Sequence, residues 1–242
     1  MTLFENWGYC PTCPGPTRFV VENAWLRDHY LCARCGSIPR ERALMLVLDE
    51  RFPDWPGLRI HESSPSPRGA SVRLARECAG YVASQFFPDT APGQTKDGMR
   101  CENLEALTFP DESFDLHVTQ DVFEHLLDPA AGWREIARTL RPGGAHVCTV
   151  PLVNKQRPSR RRARLAENGT VEHLLPPEFH GNPISADGSL VTVDWGYDIT
   201  RHIFAASGLT SELIVIDRID HGIRAEFIDV LISYKSEYAE IQ

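Results

Sequence analysis

The sequence has no apolar run that approaches the ~20 residues a helix needs to cross a bilayer. Its first ten residues hold neither the basic region nor the apolar core of a signal peptide. A positive charge excess is also missing, since the net charge is −8. This net charge argues against bulk attraction to nucleic acid or to an anionic membrane. Internal repeats are absent as well. What remains is a chain of 242 residues, 42% hydrophobic and 24% charged, which suffices for one full α/β domain and a small accessory module.

Four of the seven cysteines form two Cys-x-x-Cys pairs with 18 residues between them. In a reducing compartment such pairs indicate a metal rather than disulfides, so we expect a cytoplasmic protein. Two tight turns with two thiolates each complete the tetrahedron that zinc prefers, and they leave no open position for catalysis. The alternative is four unrelated buried cysteines. The spacing therefore predicts a structural zinc site, with ribbon strands at Thr17 to Val21 and Trp25 to Leu31, and with the ligands Cys10, Cys13, Cys32 and Cys35.

A turn, a buried strand and a helix follow one another between Phe109 and Leu140. The apolar run Phe114 to Thr119 has strand length. The polar residues before it favour a turn, and Pro129 favours the first turn of a helix that continues at helical spacing. A second strand is predicted from Ala145 to Val150. Strand, crossover helix and strand predict a parallel sheet, in which the ligand crevice lies outside the carboxyl ends of the strands.

This stretch resembles the class I S-adenosylmethionine-dependent methyltransferases of the type 11-like group. The matching motifs are the run Leu107 to Val118, the pair Glu124-His125 and the run Leu140 to Gly144. Each motif alone is common, but the three in this order and spacing are fairly specific. The resemblance extends from Leu58 to the C-terminus and is strongest from Arg100 to Pro151. It implies an α/β fold with a Rossmann-like, mostly parallel sheet, an antiparallel C-terminal strand, and S-adenosyl-L-methionine as cofactor.

The run Gly36 to Arg42 is similar to one found in methyltransferases that carry an N-terminal zinc ribbon. Arg40 and Arg42 could contact the main domain or an anionic ligand, or they could begin the solvated face of a helix that runs to Phe52. The predicted organisation is a zinc ribbon at 1–37, a helix and linker at 38–57, and a methyltransferase domain at 58–242 with a substrate lid inserted at 151–196.

The first strand of the large domain is predicted at Leu58 to Glu62. Family members follow this strand with a glycine-rich loop that lets the backbone approach the methionine end of the cofactor. This chain has Ser63 to Gly69 there, with a single glycine. Small serines such as Ser63 and Ser64 could still bond the cofactor, and His61 aligns with the family's acidic position. The alternative is a degenerate site that binds nothing.

The resemblance also assigns cofactor contacts to the following strands. Gln85 ends the second strand, where the family has an acid that accepts from the ribose hydroxyls, and Gln85 keeps an acceptor oxygen. Asn103 occupies the position that meets the adenine amino group, unless its side chain only caps a turn. Leu104 offers its backbone amide to the ring. The residues implied at the sulfonium end are Gln120 and Asp121. His125 follows one helical turn after Asp121 and could contact the cofactor, or it could be a structural histidine that orients the loop.

Two features follow the family core. Lys155 to Arg164 holds six basic residues and no acid. Such a block is usually solvated, but it could bind an acceptor's phosphate or carboxylate, or contact a nucleic acid together with the ribbon. The run Val171 to Pro183 then lies where the family inserts lids. His180 is our candidate general base, and a metal site formed by His173 and His180 is an open alternative.

The C-terminal part completes the family pattern. A helix is predicted from Asp198 to Ser207, stopped by Gly208, and strands are predicted at Leu213 to Ile219 and Ala225 to Tyr234. The function expected from these patterns is methyl transfer from S-adenosylmethionine to a small, anionic or hydroxylated acceptor with an oxygen, nitrogen or carbon nucleophile. We do not expect a membrane or a nucleic acid as partner. The alternatives are a methyltransferase-fold scaffold protein whose cofactor site has decayed, and an RNA-modifying methyltransferase.

Overall fold

The computed structural model describes residues 2–182 and 185–237. Its N-terminal part is a three-stranded antiparallel sheet in the order β1-β2-β3. The prediction of a strand from Trp25 to Leu31 is wrong at its start, because the Asn23 side chain accepts from the Trp25 amide and begins a helical turn instead. The elements of this part are β1 (Phe4–Cys10), β2 (Gly15–Val21), α1 (Leu26–His29) and β3 (Tyr30–Cys32).

The large sheet begins after a long helix and alternates strands with crossover helices. Its first elements are α2 (Pro39–Arg51), β4 (Arg59–Ser63), α3 (Gly69–Glu77), β5 (Gly80–Gln85), β6 (Thr95–Lys96) and β7 (Met99–Cys101). The central unit that the sequence predicted follows as β8 (Phe114–Gln120), α4 (Pro129–Thr139) and β9 (Leu140–Thr149). The strand β9 starts five residues earlier than predicted, because its first residues pair irregularly with β8.

The segment after β9 forms short paired strands before the chain returns to the large sheet. The pairs are β10 (Arg160–Arg161) with β15 (Val193–Asp194), β11 (Ala163–Leu165) with β12 (Val171–His173), and β13 (Phe179–Asn182) with β14 (Ser185–Leu190). The last elements are α5 (Ile199–Ser207), β16 (Thr210–Ile214) and β17 (Val230–Tyr234). Gly208 ends α5 in the left-handed conformation, as the sequence predicted.

The eight strands of the large sheet lie in the order β16-β17-β9-β8-β4-β5-β7-β6. The five strands from β9 to β7 run parallel, and β17 pairs antiparallel with β9. This arrangement confirms the predicted fold class. The predicted bounds of the last two strands are wrong, because a 3-10 turn at Ile219–His221 and its flanking loops occupy most of the segment between β16 and β17.

Two apolar layers cover the faces of this sheet. Leu44, Leu48 and Leu74 of α2 and α3 pack on the face that carries Ile60 and Val118. The opposite face is covered by α4 and α5, including Trp133 and Ile203. Full burial of each such side chain contributes about 1.5–3 kcal/mol. The helix α2 is therefore part of the core of the large sheet. Among the helices of the described segments, none is long and apolar enough to span a membrane.

Three histidines lie side by side on β4, β8 and β9, on the face covered by α4. His61, His117 and His146 are fully buried. His61 bonds His117 at 2.9 Å and Ser84 at 2.8 Å, and His146 bonds Thr119 at 2.9 Å. Burial lowers the pKa of His61 and of His146 to about 3, and that of His117 well below its usual value. The three imidazoles are therefore neutral members of the core.

The substitution His146→Gln should cost less stability at acidic pH than at neutral pH. Unfolded histidine binds a proton below pH 6.5, whereas the folded His146 does so only near pH 3. Each pH unit in this interval therefore removes about 1.4 kcal/mol from the wild type but not from the variant. The cost of His146→Gln, measured by urea unfolding, should shrink by about 2 kcal/mol between about pH 8 and pH 5. A cost that stays constant would contradict a neutral, buried His146.

The exposed His29 offers the matched control. His29→Gln should change the free energy of unfolding by less than about 0.5 kcal/mol at both pH values.

Candidate active site

A cleft of about 1700 Å³ opens at the carboxyl ends of β4, β5, β7 and β8. This is the edge at which a parallel α/β sheet binds its ligands. Four successive strand ends and the segment around β13 and β14 contribute to its walls. The predicted site residues that line it are Ser63, Ser64, Gln85, Asn103, Leu104, Gln120, Asp121, His125 and His180.

His61, to which the sequence assigned a cofactor contact, does not line this cleft. Its ring nitrogens are both engaged inside the sheet layer. The next residue, Glu62, points to the opposite face because side chains alternate along a strand. Its buried carboxylate accepts from Ser71 at 2.6 Å, Tyr81 at 2.6 Å and Gln120 at 2.9 Å. Burial raises the pKa of Glu62. The acidic residue that supports the cleft is thus Glu62, one position after the predicted one.

The loop after β4 reaches the cleft without closing it. Ser64 adopts a φ of 59°, a conformation that normally favours glycine, and its amide donates to the Ser84 carbonyl at 2.8 Å. Pro65 and Pro67 line the cleft, and its volume remains open beside them. Ser64 therefore adopts a left-handed backbone conformation of the kind that glycine usually supplies where a backbone approaches a ligand closely.

Gln120 lines the cleft and carries a buried, unpaired acceptor. Its amide nitrogen is held by Glu62 and by Ser71 at 3.1 Å. Its carbonyl oxygen Oε1 is buried and has no hydrogen-bond partner among the described residues. A buried acceptor of this kind calls for a donor. The ammonium group at the methionine end of S-adenosylmethionine is such a donor, so the residues present fit this cofactor.

Asn103 is positioned by its own turn. Its side-chain oxygen accepts from the Glu105 amide at 2.9 Å, which is the alternative role that the sequence left open. The residue still lines the cleft, and so does Gln85 at the end of the neighbouring strand β5. Both residues therefore remain within reach of a nucleoside in the cleft.

Asp121 is clamped by two arginines from the N-terminal elements. Arg27 of α1 donates to its carboxylate at 2.5 Å, and Arg40 of α2 lies at 2.9 Å from the same oxygen. Burial opposes the ionisation of Asp121, but Arg40 and Arg27 outweigh it and lower the pKa of this carboxyl to about 2. Arg40 thus contacts the main domain, which is one of the roles that the sequence left open for it. Arg27 and Arg40 also line the cleft, so the N-terminal elements supply one of its walls.

Glu124, His125 and His180 form a second group that lines the cleft. Their ligand atoms all lie within 4.8 Å of one another. Burial, followed by repulsion from Asp121, raises the pKa of Glu124 well above its usual value. Burial lowers the pKa of His125 and of His180, which favours neutral rings. His173 is exposed on β12 and does not belong to this group.

A sequence profile described as a methyltransferase domain matches residues 72–148. Over these residues, about a third of its length, the chain is similar to a methyltransferase domain. Over 45 residues it is 44% identical to the ubiquinone biosynthesis O-methyltransferase of Parvibaculum lavamentivorans, and that match spans 19% of this chain and 18% of the relative.

The fold of the methyltransferase domain is also found in solved structures. An S-adenosylmethionine dependent methyltransferase from Mesorhizobium loti is 19% identical and has a TM-score of 0.51, with 79% of this chain and 97% of that chain covered. The YcgJ protein from Bacillus subtilis is 12% identical and has a TM-score of 0.50, with 81% and 99% covered. At these identities the likeness concerns the fold alone.

In the N-terminal part of the chain, the two cysteine pairs come together as one group. The four sulfur atoms lie within 4.8 Å of one another. The Sγ atoms of Cys10 and Cys35 are 3.9 Å apart, and those of Cys13 and Cys32 are 3.7 Å apart. Four thiolates at about 2.3 Å from a tetrahedral zinc ion would be separated by about 3.8 Å. All four cysteines are free of disulfides. The donor set and its geometry therefore fit zinc.

The run between the second cysteine pair and α2 connects this group to the part of the chain that contains the large sheet. Glu41, which the sequence did not single out, is buried and accepts from the Ile38 amide at 3.1 Å and from Arg68 at 3.1 Å. Gly69 packs directly against its carboxylate. Glu41 therefore holds the serine-proline loop from behind. Three successive residues of α2 thus act on different parts: Arg40 on Asp121, Glu41 on this loop, and Arg42 on the N-terminal sheet.

The basic block after β9 is largely paired within the chain. Arg160 and Arg162 both lie 2.9 Å from Asp194. Arg164 lies 2.7 Å from Glu172. Of the six basic residues, these three and Lys155 have acidic neighbours. The block therefore stabilises the strands β10 to β15 rather than presenting six free charges.

Proposed function

We propose that the protein binds S-adenosylmethionine in this cleft and transfers its methyl group to a small acceptor. The observation that carries the proposal is the buried, unpaired Oε1 of Gln120 at the mouth of four parallel strands. In this proposal Gln120, Ser63 and Ser64 hold the methionine end. Gln85 accepts hydrogen bonds from the ribose hydroxyls, and Asn103 and Leu104 contact the adenine ring.

The main contribution of the protein to methyl transfer is the alignment of the two reactants. The sulfonium already activates the methyl carbon, so binding the two reactants in line supplies most of the acceleration. A base is needed only when the acceptor holds its proton at neutral pH, and His180 is our candidate. The local relationship to an O-methyltransferase favours an oxygen nucleophile. We further propose that zinc occupies the four-cysteine group and has a structural role, because four thiolates leave no open coordination position.

Two alternatives are less well supported. A scaffold protein with a decayed cofactor site would be favoured by the glycine-poor loop, but the cleft stays open beside Pro65 and Pro67. An RNA-modifying enzyme would be favoured by the basic block, but most of its charges are paired. Both observations support the small-molecule methyltransferase instead.

Thermal unfolding with S-adenosylhomocysteine tests the proposal. At about 100 times its Kd the ligand should add about 2.7 kcal/mol to the wild type. This corresponds to a rise of about 5–10 °C for a domain of this size. Gln120→Met, which removes the unpaired acceptor, should weaken binding about tenfold or more.

The exposed Gln156 provides the control for this substitution, because Gln156→Met leaves the cleft untouched. It should retain the full shift. A folded wild type that shows no shift at millimolar ligand would support the scaffold protein and overturn the proposal.

The variant Gly69→Ala tests the support of the serine-proline loop. Gly69 has a φ of 62°, and an added Cβ would collide with the Glu41 carboxylate. The strain of about 1–2 kcal/mol should shift the loop and weaken S-adenosylhomocysteine binding about tenfold. Titration calorimetry measures this loss. Gly57→Ala, where nothing lies within 4 Å, is the matched control, and equal affinities in both variants would contradict the role of Glu41.

A further inference from the structure

Glu124 is a buried carboxylate without a donor. Its side chain is 2% exposed, and both carboxylate oxygens are buried with no hydrogen-bond partner among the described residues. Such a group is costly to bury unless a cation or a set of donors compensates it. It lines the cleft, so a ligand in the cleft can reach it. The orphaned carboxylate therefore indicates a missing positive partner.

Two imidazoles face the same carboxylate. His125 Nε2 lies 3.6 Å and His180 Nδ1 lies 3.9 Å from Glu124 Oε1. His125 Nδ1 lies 2.9 Å from the Leu190 carbonyl, to which it can only donate. In the neutral ring this bond leaves Nε2 with a free lone pair that points toward Glu124. Metal-binding histidines in proteins are commonly oriented by a backbone carbonyl in this way.

The charges around the group leave a place for a cation. Arg27 and Arg40 supply two positive charges, and both lie against Asp121 and Asp28. These four charges cancel. The buried carboxyl of Glu124 then has neither a donor nor a paired cation among the described residues.

We propose that Glu124, His125 and His180 bind one divalent first-row transition metal ion. Two imidazoles and one carboxylate are a ligand set that such ions prefer, and three protein ligands leave open coordination positions. Around a single ion with bonds of about 2.0–2.2 Å, neighbouring ligand atoms are about 3.0 Å apart in octahedral geometry and about 3.4 Å apart in tetrahedral geometry. The observed separations of 3.6 Å and 3.9 Å therefore need to contract by less than 1 Å.

The site also limits the acceptor, a step that rests on the proposed methyl transfer. A metal ion with an open position on the acceptor side would bind a molecule that offers an oxygen ligand, such as a hydroxyl group. The ion would lower the pKa of that hydroxyl, as it does for bound water. His180 would then serve as a ligand, and the acceptor would release its proton to solvent rather than to His180.

Binding of Mn²⁺ tests the metal site independently of methyl transfer. The probe is added to protein whose four-cysteine group is loaded with zinc, because thiolates prefer zinc and the hard ion prefers nitrogen and oxygen ligands. Electron paramagnetic resonance measures the concentration of free Mn²⁺, and the loss of this signal on adding protein should correspond to one Mn²⁺ bound per chain. Glu124→Gln and His180→Ala should each weaken binding at least tenfold. His173→Ala changes an exposed histidine of the same inserted segment and should leave the affinity unchanged.

The unfolding temperature provides a second readout for Glu124→Gln, the variant that keeps the shape of the side chain. Without Mn²⁺, Glu124→Gln should be at least as stable as the wild type, because burial disfavours the ionised carboxylate and the amide is a neutral group of the same shape. Added Mn²⁺ should raise the unfolding temperature of the wild type only. No saturable Mn²⁺ binding by the wild type, or equal weakening by His173→Ala, would overturn the proposal. Loss of S-adenosylhomocysteine binding with intact Mn²⁺ binding would contradict only the proposed function.

Discussion

Replacing Arg42 by methionine is expected to lower the free energy of unfolding by about 3 kcal/mol or more. The guanidinium of Arg42 is fully buried and donates to three backbone carbonyls, those of Ser37, of Tyr30 at 2.7 Å, and of Gly222 at 2.6 Å. It also lies 4.8 Å from the centre of the Phe19 ring. Methionine fills much of the same volume but removes the Arg42 donors from all three carbonyls, of which that of Ser37 keeps another donor, the Cys32 amide at 3.0 Å. Each unsatisfied buried group costs about 1–3 kcal/mol.

Part of this cost is offset, because burial of the charge is itself unfavourable and lowers the pKa of Arg42. The net loss should still lower the unfolding temperature by about 6–12 °C in calorimetry. Arg76→Met is the matched control on α3, since Arg76 is exposed and contacts only Glu77. It should change stability by less than about 0.5 kcal/mol. Equal unfolding temperatures for the two variants would contradict the role of Arg42 as the link between the N-terminal sheet and the large sheet.

The substitution Cys32→Ser should release the bound metal and disorder the N-terminal sheet. The buried apolar cluster of this part is small and consists of Phe19, Val21, Tyr30 and two of the cysteines. A structural zinc ion in such a module contributes on the order of 10 kcal/mol, far more than these few side chains can. Metal analysis should find about one zinc per chain fewer than in the wild type, and amide exchange of β1 to β3 should accelerate.

The same substitution should weaken S-adenosylhomocysteine binding, because Arg27 belongs to the affected part and clamps Asp121 in the cleft. Cys78→Ser is the matched control. Cys78 is also buried, but it lies in the large domain and only donates to the Leu58 carbonyl at 3.2 Å. It should keep its zinc. Retention of zinc and of slow exchange in Cys32→Ser would show that the four cysteines do not form one metal site.

The central unit of the large sheet was predictable because its signals are local. Strand β8, helix α4 and strand β9 each follow from a short apolar pattern and from Pro129. The cysteine pairs were predictable for the same reason, since their spacing is fixed by the geometry of one tetrahedral ion. The helical turn α1 was missed because a single side-chain bond from Asn23 outweighs the strand pattern.

The parts of the site that the sequence did not reveal depend on contacts between distant segments. The sequence did not single out Glu41, and for Arg42 it left a solvated helix face open as an alternative. Only the packing of α2 on the sheet shows that both residues are buried. Glu124 and His125 are adjacent in sequence, but His180 reaches them from a strand more than fifty residues later. No periodic pattern in the sequence predicts that His180 comes close to Glu124 and His125. His61 was misassigned because a shift of one residue along a strand exchanges the two faces of the sheet.

A crystal structure of the protein with S-adenosylhomocysteine tests the central claim most directly. The ligand should lie across the carboxyl ends of β4, β5, β7 and β8, with its amino group within hydrogen-bond distance of Gln120 Oε1 and its ribose beside Gln85. An empty cleft at saturating ligand, or a ligand bound elsewhere on the chain, would contradict the account.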